Sequence, residues 1–381
     1  MSWPRAPLLL VSSSSRTGPA EGLISLAREM RSRGMEARFA GDTVRPGEDL
    51  GEHLARAGVP WANELRLSRK VRVGDLLHDA RLLASWARGG RHDVLHAAFA
   101  HDHSLCLWAR WRARNPDLRV VRAAQRRNDV EPGALGGRIR ALRRSDGVVV
   151  HCESYRSLLL QRGLAPERVA AVPGSVDGAW FTPGRAPDLR ERWGIPATAP
   201  LAGIVARMKR ERGHRALLHG FARALKKVPE AWLVLVGRGE EAGPLREVAR
   251  EFGGARVVFG GYLRGPGLVE AYRALDLAVW LREGNDGACR GVLEAMACGL
   301  PVVAGREGAP GELVRDGVEG RLVDPGEAGS IGNALVELLG DLPRARSLGQ
   351  AARARALEFT PRRAAEETLA FWRRLRDLPP R

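Results

Sequence analysis

Apolar and polar positions alternate along this chain in two periods. Short apolar runs, bounded by Gly, Pro and Asp, read as strands at Pro7–Val11, Ala37–Ala40, Val94–Ala98, Val120–Ala124, Val148–Cys152 and Val169–Val172 in the first half. The second half repeats the pattern at Leu201–Ala206, Trp232–Val236, Val257–Gly260, Leu277–Leu281, Pro301–Ala304 and Arg321–Val323. Between them lie stretches of helical period, such as 20–33 with Leu23, Leu26, Ala27 and Met30 on one face, and 214–228 with an apolar stripe of Leu217, Leu218, Phe221, Leu225 and Val228. Strands that alternate with helices from end to end predict an α/β protein with parallel sheets. A proline- and glycine-rich stretch over 177–200 is where a domain boundary belongs. The expected organisation is a Rossmann-like domain over 1–178, a second over 179–359, and a terminal amphipathic helix over 360–381 carrying Leu369, Phe371, Trp372 and Leu375.

The most informative segment is 280–304. It predicts one βαβ unit: a buried strand ending near Trp280, a glycine-rich loop with acids, a short helix bearing Glu294, a stop at Gly299 and a second strand from Pro301. In parallel sheets, ligands bind in the loops at the carboxyl ends of strands. Asp286 and Glu294, with seven residues between them, put two carboxylates there, able to accept hydrogen bonds from hydroxyls. The amides of Gly287, Ala288 and Cys289, with Arg290, can cradle phosphate at the helix start. Arg207 and Arg212 flank the loop after the strand 201–206, and guanidinium groups bind phosphate through forked, charge-assisted hydrogen bonds. A solvated basic loop is the alternative, since Lys209 and Arg210 lie alongside. For Asp286 the alternative is a helix cap, and for Glu294 an exposed helix position.

This segment resembles the signature of the family 4 glycosyltransferases, retaining enzymes of the GT-B fold, in which an acid, seven residues and a Glu precede a run much like Ala295-Met296-Ala297-Cys298-Gly299-Leu300-Pro301-Val302-Val303-Ala304. Gly203-Ile204-Val205-Ala206-Arg207 with Arg212-Gly213 resembles the basic pair that opens the donor domain of that family. Val172-Pro173-Gly174-Ser175-Val176-Asp177, Phe181-Thr182-Pro183 and Gly308-Ala309-Pro310-Gly311-Glu312-Leu313-Val314 resemble further family segments, in family order. The resemblance implies two Rossmann-like domains facing across a cleft, an acceptor-side first domain, a donor-binding second domain and a terminal helix that returns to the first. It makes Asp286 the donor-sugar contact, Glu294 the ribose contact, and Arg207 and Arg212 the diphosphate contacts. Gly18, after the serine run that follows the first strand, occupies the place of the family's glycine loop. Three positions depart from the pattern: Asp286 stands for Glu, with Glu283 nearby; Arg212 stands for Lys; and Ala123-Ala124-Gln125 replaces Thr-x-His. Because Gln125 does not titrate, His101 or His103, read as part of the loop before a helix, becomes the candidate for acceptor binding or proton transfer.

The formal charge of +17, mostly arginine, favours anionic partners such as nucleotide diphosphates, acidic headgroups or nucleic acid. The basic residues are spread along the chain with no nucleic-acid-binding signature, so no specific nucleic acid is expected. Two stretches suit peripheral contact with an anionic membrane: Arg126-Arg127 with Arg138, Arg140, Arg143 and Arg144, and Trp108-Ala109-Arg110-Trp111-Arg112-Ala113-Arg114, although the tryptophans are equally readable as core. Four cysteines at zinc-incompatible spacing read as free thiols, and neither metal nor cofactor is expected beyond a nucleotide diphosphate sugar as co-substrate. The run 6–11 fits a first strand rather than a leader, and the expected location is cytoplasmic, peripheral on the inner membrane face. The reading is sugar transfer from a nucleotide diphosphate sugar to a glycan or glycolipid of a bacterial surface polymer of the lipopolysaccharide kind. A nucleotide-sugar epimerase and a basic nucleic-acid-binding protein are the alternatives.

Overall fold

The computed structural model describes residues 3–13, 17–44, 50–68, 72–131, 137–251, 254–282 and 289–381. The chain divides into two compact units: Met1–Gly174 with Pro361–Arg381, and Ser175–Gly284 with Cys289–Thr360. The first boundary falls four residues before the 178/179 read from sequence. The amide of Val176 donates to the carbonyl of Phe359 (2.9 Å), and Arg353 donates to the carbonyl of Gly178 (3.4 Å), which ties residues 175–178 into the second unit.

In the first unit, β1 (Leu8–Val11), β2 (Arg38–Gly41), β3 (Val94–Ala97), β4 (Arg119–Ala123), β5 (Gly147–Val150) and β6 (Val169–Ala171) form a parallel sheet ordered β2-β1-β3-β4-β5-β6. In the second, β7 (Leu201–Val205), β8 (Trp232–Val236), β9 (Val257–Gly261), β10 (Leu277–Trp280), β11 (Val302–Gly305) and β12 (Gly320–Val323) form a parallel sheet ordered β12-β11-β10-β7-β8-β9. Helices cover both faces of a Rossmann-like sheet, so the central strands are buried throughout and appear in sequence as unbroken apolar runs; β1 is 0% exposed at all four positions. Each sheet has one place where the chain reverses its direction of travel across the sheet. That switch point lies between β1 and β3 in the first unit, and between β7 and β10 in the second. Connections leave opposite faces there and open a crevice at the carboxyl ends of the strands, the usual ligand position in this architecture.

The terminal helix Pro361–Asp377 belongs to the first unit. Its Leu369, Phe371, Trp372 and Leu375 join the core formed by Leu9, Val11 and the helix Gly18–Ser32. Gly147 of β5 makes room for it, since a Cβ there would stand 2.4 Å from Leu375 and 2.8 Å from Phe371. Arg119 closes the end of the helix by donating to the carbonyls of Leu375 and Arg376, both at 3.0 Å, where orphan carbonyls favour a cation. No helix among the described residues is long and apolar enough to cross a membrane.

His96 of β3 is 2% exposed, its ring lies 5.4 Å from that of Trp372, and neither ring nitrogen has a hydrogen-bond partner. Burial, reinforced by the charge of Arg122, pushes its pKa down to about 3. The folded chain therefore holds His96 neutral, while the unfolded chain protonates it near pH 6.5. The stabilising difference is complete above that pH and is lost as pH falls toward 3, at about 1.4 kcal/mol per pH unit. Replacement of His96 by Leu removes this contribution. Stability measured by denaturant unfolding should fall with acidification between pH 6.5 and 4 more steeply in the native chain than in His96→Leu; parallel curves would contradict the assignment.

Candidate donor site and acceptor-side loops

The loops that leave β7 and β10 meet at the switch point of the second sheet. After β7 the backbone passes Arg207, turns through a short 3-10 helix (Arg210–Arg212) and enters the helix His214–Leu225 through Gly213, whose φ of +81° is the left-handed region that favours glycine. A Cβ on Gly213 would also stand 3.1 Å from Leu281 at the end of β10. Arg212 is thereby drawn inward: it is 6% exposed, its guanidinium lies 5.2 Å from the ring of Trp280, and it donates to the carbonyl of Arg282 (3.4 Å). Arg207 begins the same loop and is exposed. The loop after β8 supports this one at close range, because Met208 donates to the carbonyl of Arg238 (3.1 Å), and side chains at Gly237 or Gly239 would meet the carbonyls of Ala206 (2.0 Å) and Met208 (2.1 Å).

Trp280 also shapes the other half of the site. The helix Arg290–Ala297 starts against its ring, and a Cβ at Gly291 would lie 2.1 Å from it. The preceding residue, Cys289, is fully buried with φ +47° and ψ +43°, a left-handed conformation that costs a non-glycine residue on the order of 1–3 kcal/mol and tends to be retained at functional sites. On this helix Glu294 is 6% exposed and accepts hydrogen bonds from the Tyr272 hydroxyl (3.0 Å) and from Arg290 (3.0 Å). Arg290, expected among the phosphate contacts, is thus an ion-pair partner of the second acid at i,i+4. Glu294 is not an exposed helix residue. Burial beside that carboxylate raises the Tyr272 hydroxyl well above its ordinary pKa and pushes the Cys298 thiol up to about 12, so both stay protonated at neutral pH. The structure thus sets Arg212 and the start of the helix that carries Arg290 and Glu294 against the ring of Trp280, with Cys289 just before that helix and Arg207 at the entrance to the first loop. Asp286, Gly287 and Ala288, with Glu283, lie outside the described residues.

Sequence reasoning passed over Tyr272 and Trp280. Tyr272 sits on the helix Pro266–Ala274 and looks like one more core aromatic; Trp280 looks like the end of an apolar strand. Gly291→Val should therefore act through Trp280. Forcing the ring aside is expected to destabilise the second unit by about 1–3 kcal/mol in urea unfolding, and to weaken nucleotide binding because the surface beneath Arg212 moves. An unchanged denaturation midpoint would show that the contact is not tight.

At the switch point of the first sheet, His101, Asp102 and His103 form the first turn of the helix Ala100–Ala113 rather than a loop, which corrects the expectation from sequence. The reason is Asp102, which accepts from the amides of Phe99 and Ser12, both at 3.1 Å; it caps the helix after β3 and clamps it to the loop after β1. His103 points into the protein, is 2% exposed, and is bonded through Nε2 to the Ser145 hydroxyl (2.7 Å). Burial pushes its pKa down to about 3, which holds the ring neutral at neutral pH. His101 remains half-exposed at the helix start. Gly18 is the first residue of its helix, capped by the Thr17 side chain, and Ser14, Ser15 and Arg16 before it lie outside the described residues. Gln125 is 5% exposed beyond β4. Arg122, wholly buried in β4, pairs with Asp129 (3.4 Å) and donates to the carbonyls of Ala97, Ala98 and Ala123, joining the ends of β3 and β4.

Two parallel sheets with these switch points define a pair of Rossmann-like units, the architecture of GT-B proteins. Residues 186–355 match the glycosyl transferases group 1, and residues 17–174 match a glycosyl transferase 4-like domain. The chain is 31% identical over 284 residues to a GDP-mannose-dependent alpha-(1-6)-phosphatidylinositol monomannoside mannosyltransferase of Mycolicibacterium smegmatis, covering 71% of this chain and 73% of that one. It is 32% identical over 239 residues to a D-inositol 3-phosphate glycosyltransferase of Stackebrandtia nassauensis, covering 60% and 54%. The chain thus spans little more than half the length of several relatives. Among solved structures, HepE of Anabaena in complex with UDP and glucose superposes with a TM-score of 0.81 at 21% identity, over 97% of this chain and 99% of that one. Sucrose-phosphate synthase of Thermosynechococcus elongatus superposes with 0.77 at 20% identity, over 97% and 99%. The chain belongs to the family 4 glycosyltransferases of GT-B fold.

Proposed function

We propose that this chain transfers a sugar, with retention of anomeric configuration and without metal, from a nucleotide diphosphate sugar to a glycan or lipid-linked acceptor. The observation that carries the reading is the pairing of Arg212 with Trp280 across the β7–β10 switch point, on the same ring against which the Glu294 helix begins. A guanidinium held in place by packing stabilises charge that builds on a departing diphosphate without reorganising during the reaction. A buried carboxylate that already accepts two hydrogen bonds suits hydroxyls of the nucleoside ribose. In this reading Asp286 contacts the donor sugar, Arg207 and the amides of 287–289 contact the phosphates, Gly18 borders the acceptor, and His101 serves acceptor binding. The relatives' names support both sides of the reaction: GDP-mannose and a phosphatidylinositol mannoside in one, and UDP-glucose in a neighbouring structure. A cytoplasmic position at a membrane face follows from such an acceptor. Family membership leaves no ground for the epimerase or nucleic-acid readings.

The test is a thermal-shift panel of UDP-, GDP- and ADP-sugars, followed by transfer assays with and without EDTA. A ligand at a hundred times its Kd stabilises by about 2.7 kcal/mol, so one nucleotide should raise the melting temperature by several degrees. Transfer should continue in EDTA with the anomeric configuration kept. Loss of activity in EDTA, or an inverted product, would overturn those parts of the proposal.

A further inference from the structure

The helices Val73–Arg88 and Ala100–Ala113 precede and follow β3, pack side by side, and cover the same face of the first sheet with Ala80, Leu83, Trp86, Leu105, Cys106 and Ala109. Their outer sides are unusual for a surface. Among the described residues, eight large hydrophobic side chains are exposed, and four belong to these two helices: Val73 (70%), Leu77 (47%), Trp108 (40%) and Trp111 (73%). Trp108 and Trp111, three apart, are neighbours on one helix face. The first helix supplies exposed Arg81 and Arg88, and the second Arg112; none of the three forms an ion pair among the described residues.

The acids carried by the two helices themselves are buried, while of the exposed acids beside them Glu64 pairs with Arg38 and Arg91, and Asp117 lies beyond the end of the second helix. Asp75 pairs with Arg66 and Asp79 accepts from the amides of Arg66 and Leu67, while Asp102 is consumed as a cap and Asp93 accepts from Ala6. The exposed formal charges carried by the two helices are therefore all positive, around exposed indoles. The other arginine cluster is different: Arg126 pairs with Asp129, Arg127 with Glu131, Arg138 donates to the carbonyl of Asn128, and Arg143 to that of Arg162.

We propose that this two-helix face docks on an anionic lipid bilayer, with Trp108 and Trp111 entering the boundary between headgroups and acyl chains and Arg81, Arg88 and Arg112 lying over acidic headgroups. Indole rings favour that boundary, and a cationic rim favours anionic over neutral lipid. A protein partner of the same face would need acidic groups opposite the arginines, and the two helices expose no acid of their own to pair with a second copy. The proposal rests on the lipid-linked acceptor only for its purpose, because binding to lipid involves no sugar and is measured without donor or acceptor.

The experiment is flotation of the full chain with vesicles of phosphatidylcholine alone, and of phosphatidylcholine with about one phosphatidylglycerol in three. Parallel samples carry lipids brominated near the top of the acyl chain. The chain should float with the anionic vesicles and not the neutral ones, and the brominated lipids should quench its tryptophan fluorescence. Trp108→Ser with Trp111→Ser should weaken binding at least about tenfold and abolish the quenching. Arg81→Gln with Arg88→Gln and Arg112→Gln should weaken it on the order of a hundredfold, about fivefold for each charge. All these positions are exposed, so melting temperatures should not move; if one variant is unstable, quenching of the unaltered chain still reads insertion. No flotation, flotation that survives both sets of substitutions, or a dimer that the Trp substitutions dissociate while lipid binding persists, would each overturn the proposal. Loss of sugar transfer with lipid binding intact would instead count against the proposed function.

Discussion

Arg212→Ala should lower kcat/KM for sugar transfer by about a hundred- to a thousandfold, the range seen when one preorganised donor to a developing oxyanion is removed. The expectation follows from where the side chain sits. Arg212 is buried, its guanidinium lies over Trp280, and its bond to Arg282 fixes it between the two loops that bracket the switch point. Charge on a diphosphate grows as the glycosidic bond breaks, so the loss should fall mainly on kcat, with a smaller rise in the donor's KM. Arg212→Lys keeps the charge but loses the fork and the flat contact with the indole, and should recover only part of the rate. Arg207→Ala removes an exposed charge from the same loop and should have the smaller effect, since solvent screens it. Initial rates over a range of donor concentrations, with melting temperatures as a folding control, separate these outcomes.

Glu294→Ala should abolish detectable transfer, a loss of at least about a hundredfold, because hydrogen bonds to a charged group contribute roughly 1.5–3 kcal/mol each. The same change leaves Tyr272, a fully buried hydroxyl, with only the carbonyl of Gly291 at 3.4 Å, and leaves Arg290 without its carboxylate. Some of the loss would then be structural, at a cost of about 1–3 kcal/mol. Glu294→Gln separates the two contributions. Its amide oxygen can still accept from Tyr272 and holds the volume, so stability should be largely kept while the donor's KM rises about tenfold or more. Tyr272→Phe removes a partner of the carboxylate and should weaken nucleotide binding less than Glu294→Gln. Full activity in Glu294→Ala would refute the role given to the second acid.

The strands were legible in the sequence because helices cover both faces of each sheet, so positions such as Leu8 to Val11 and Leu233 to Val236 must all be apolar. Their order within the sheets was not legible, since periodicity carries no information on which strand neighbours which. The basic pair and the second acid were singled out because their spacing resembles a family pattern. What eluded sequence reasoning were side chains that act through distant partners. Tyr272 meets Glu294 across 22 positions, and Trp280 meets both Arg212 and Gly291 only when the sheet is assembled. Asp102 is a comparable case: its cap reaches back 90 positions to Ser12, and this converts an expected histidine loop into a helix that buries His103. The arginine stretch 126–144 looked like a surface patch, yet several of its members serve carboxylates and carbonyls of their own unit.

A crystal structure of this chain with the nucleoside diphosphate that gives the largest thermal shift tests the central claim most directly. The account predicts the pyrophosphate at the carboxyl ends of β7 and β10, within hydrogen-bond distance of the Arg212 guanidinium, with the ribose hydroxyls on Glu294. A diphosphate bound elsewhere, with Arg212 and Glu294 both out of its reach, would contradict it.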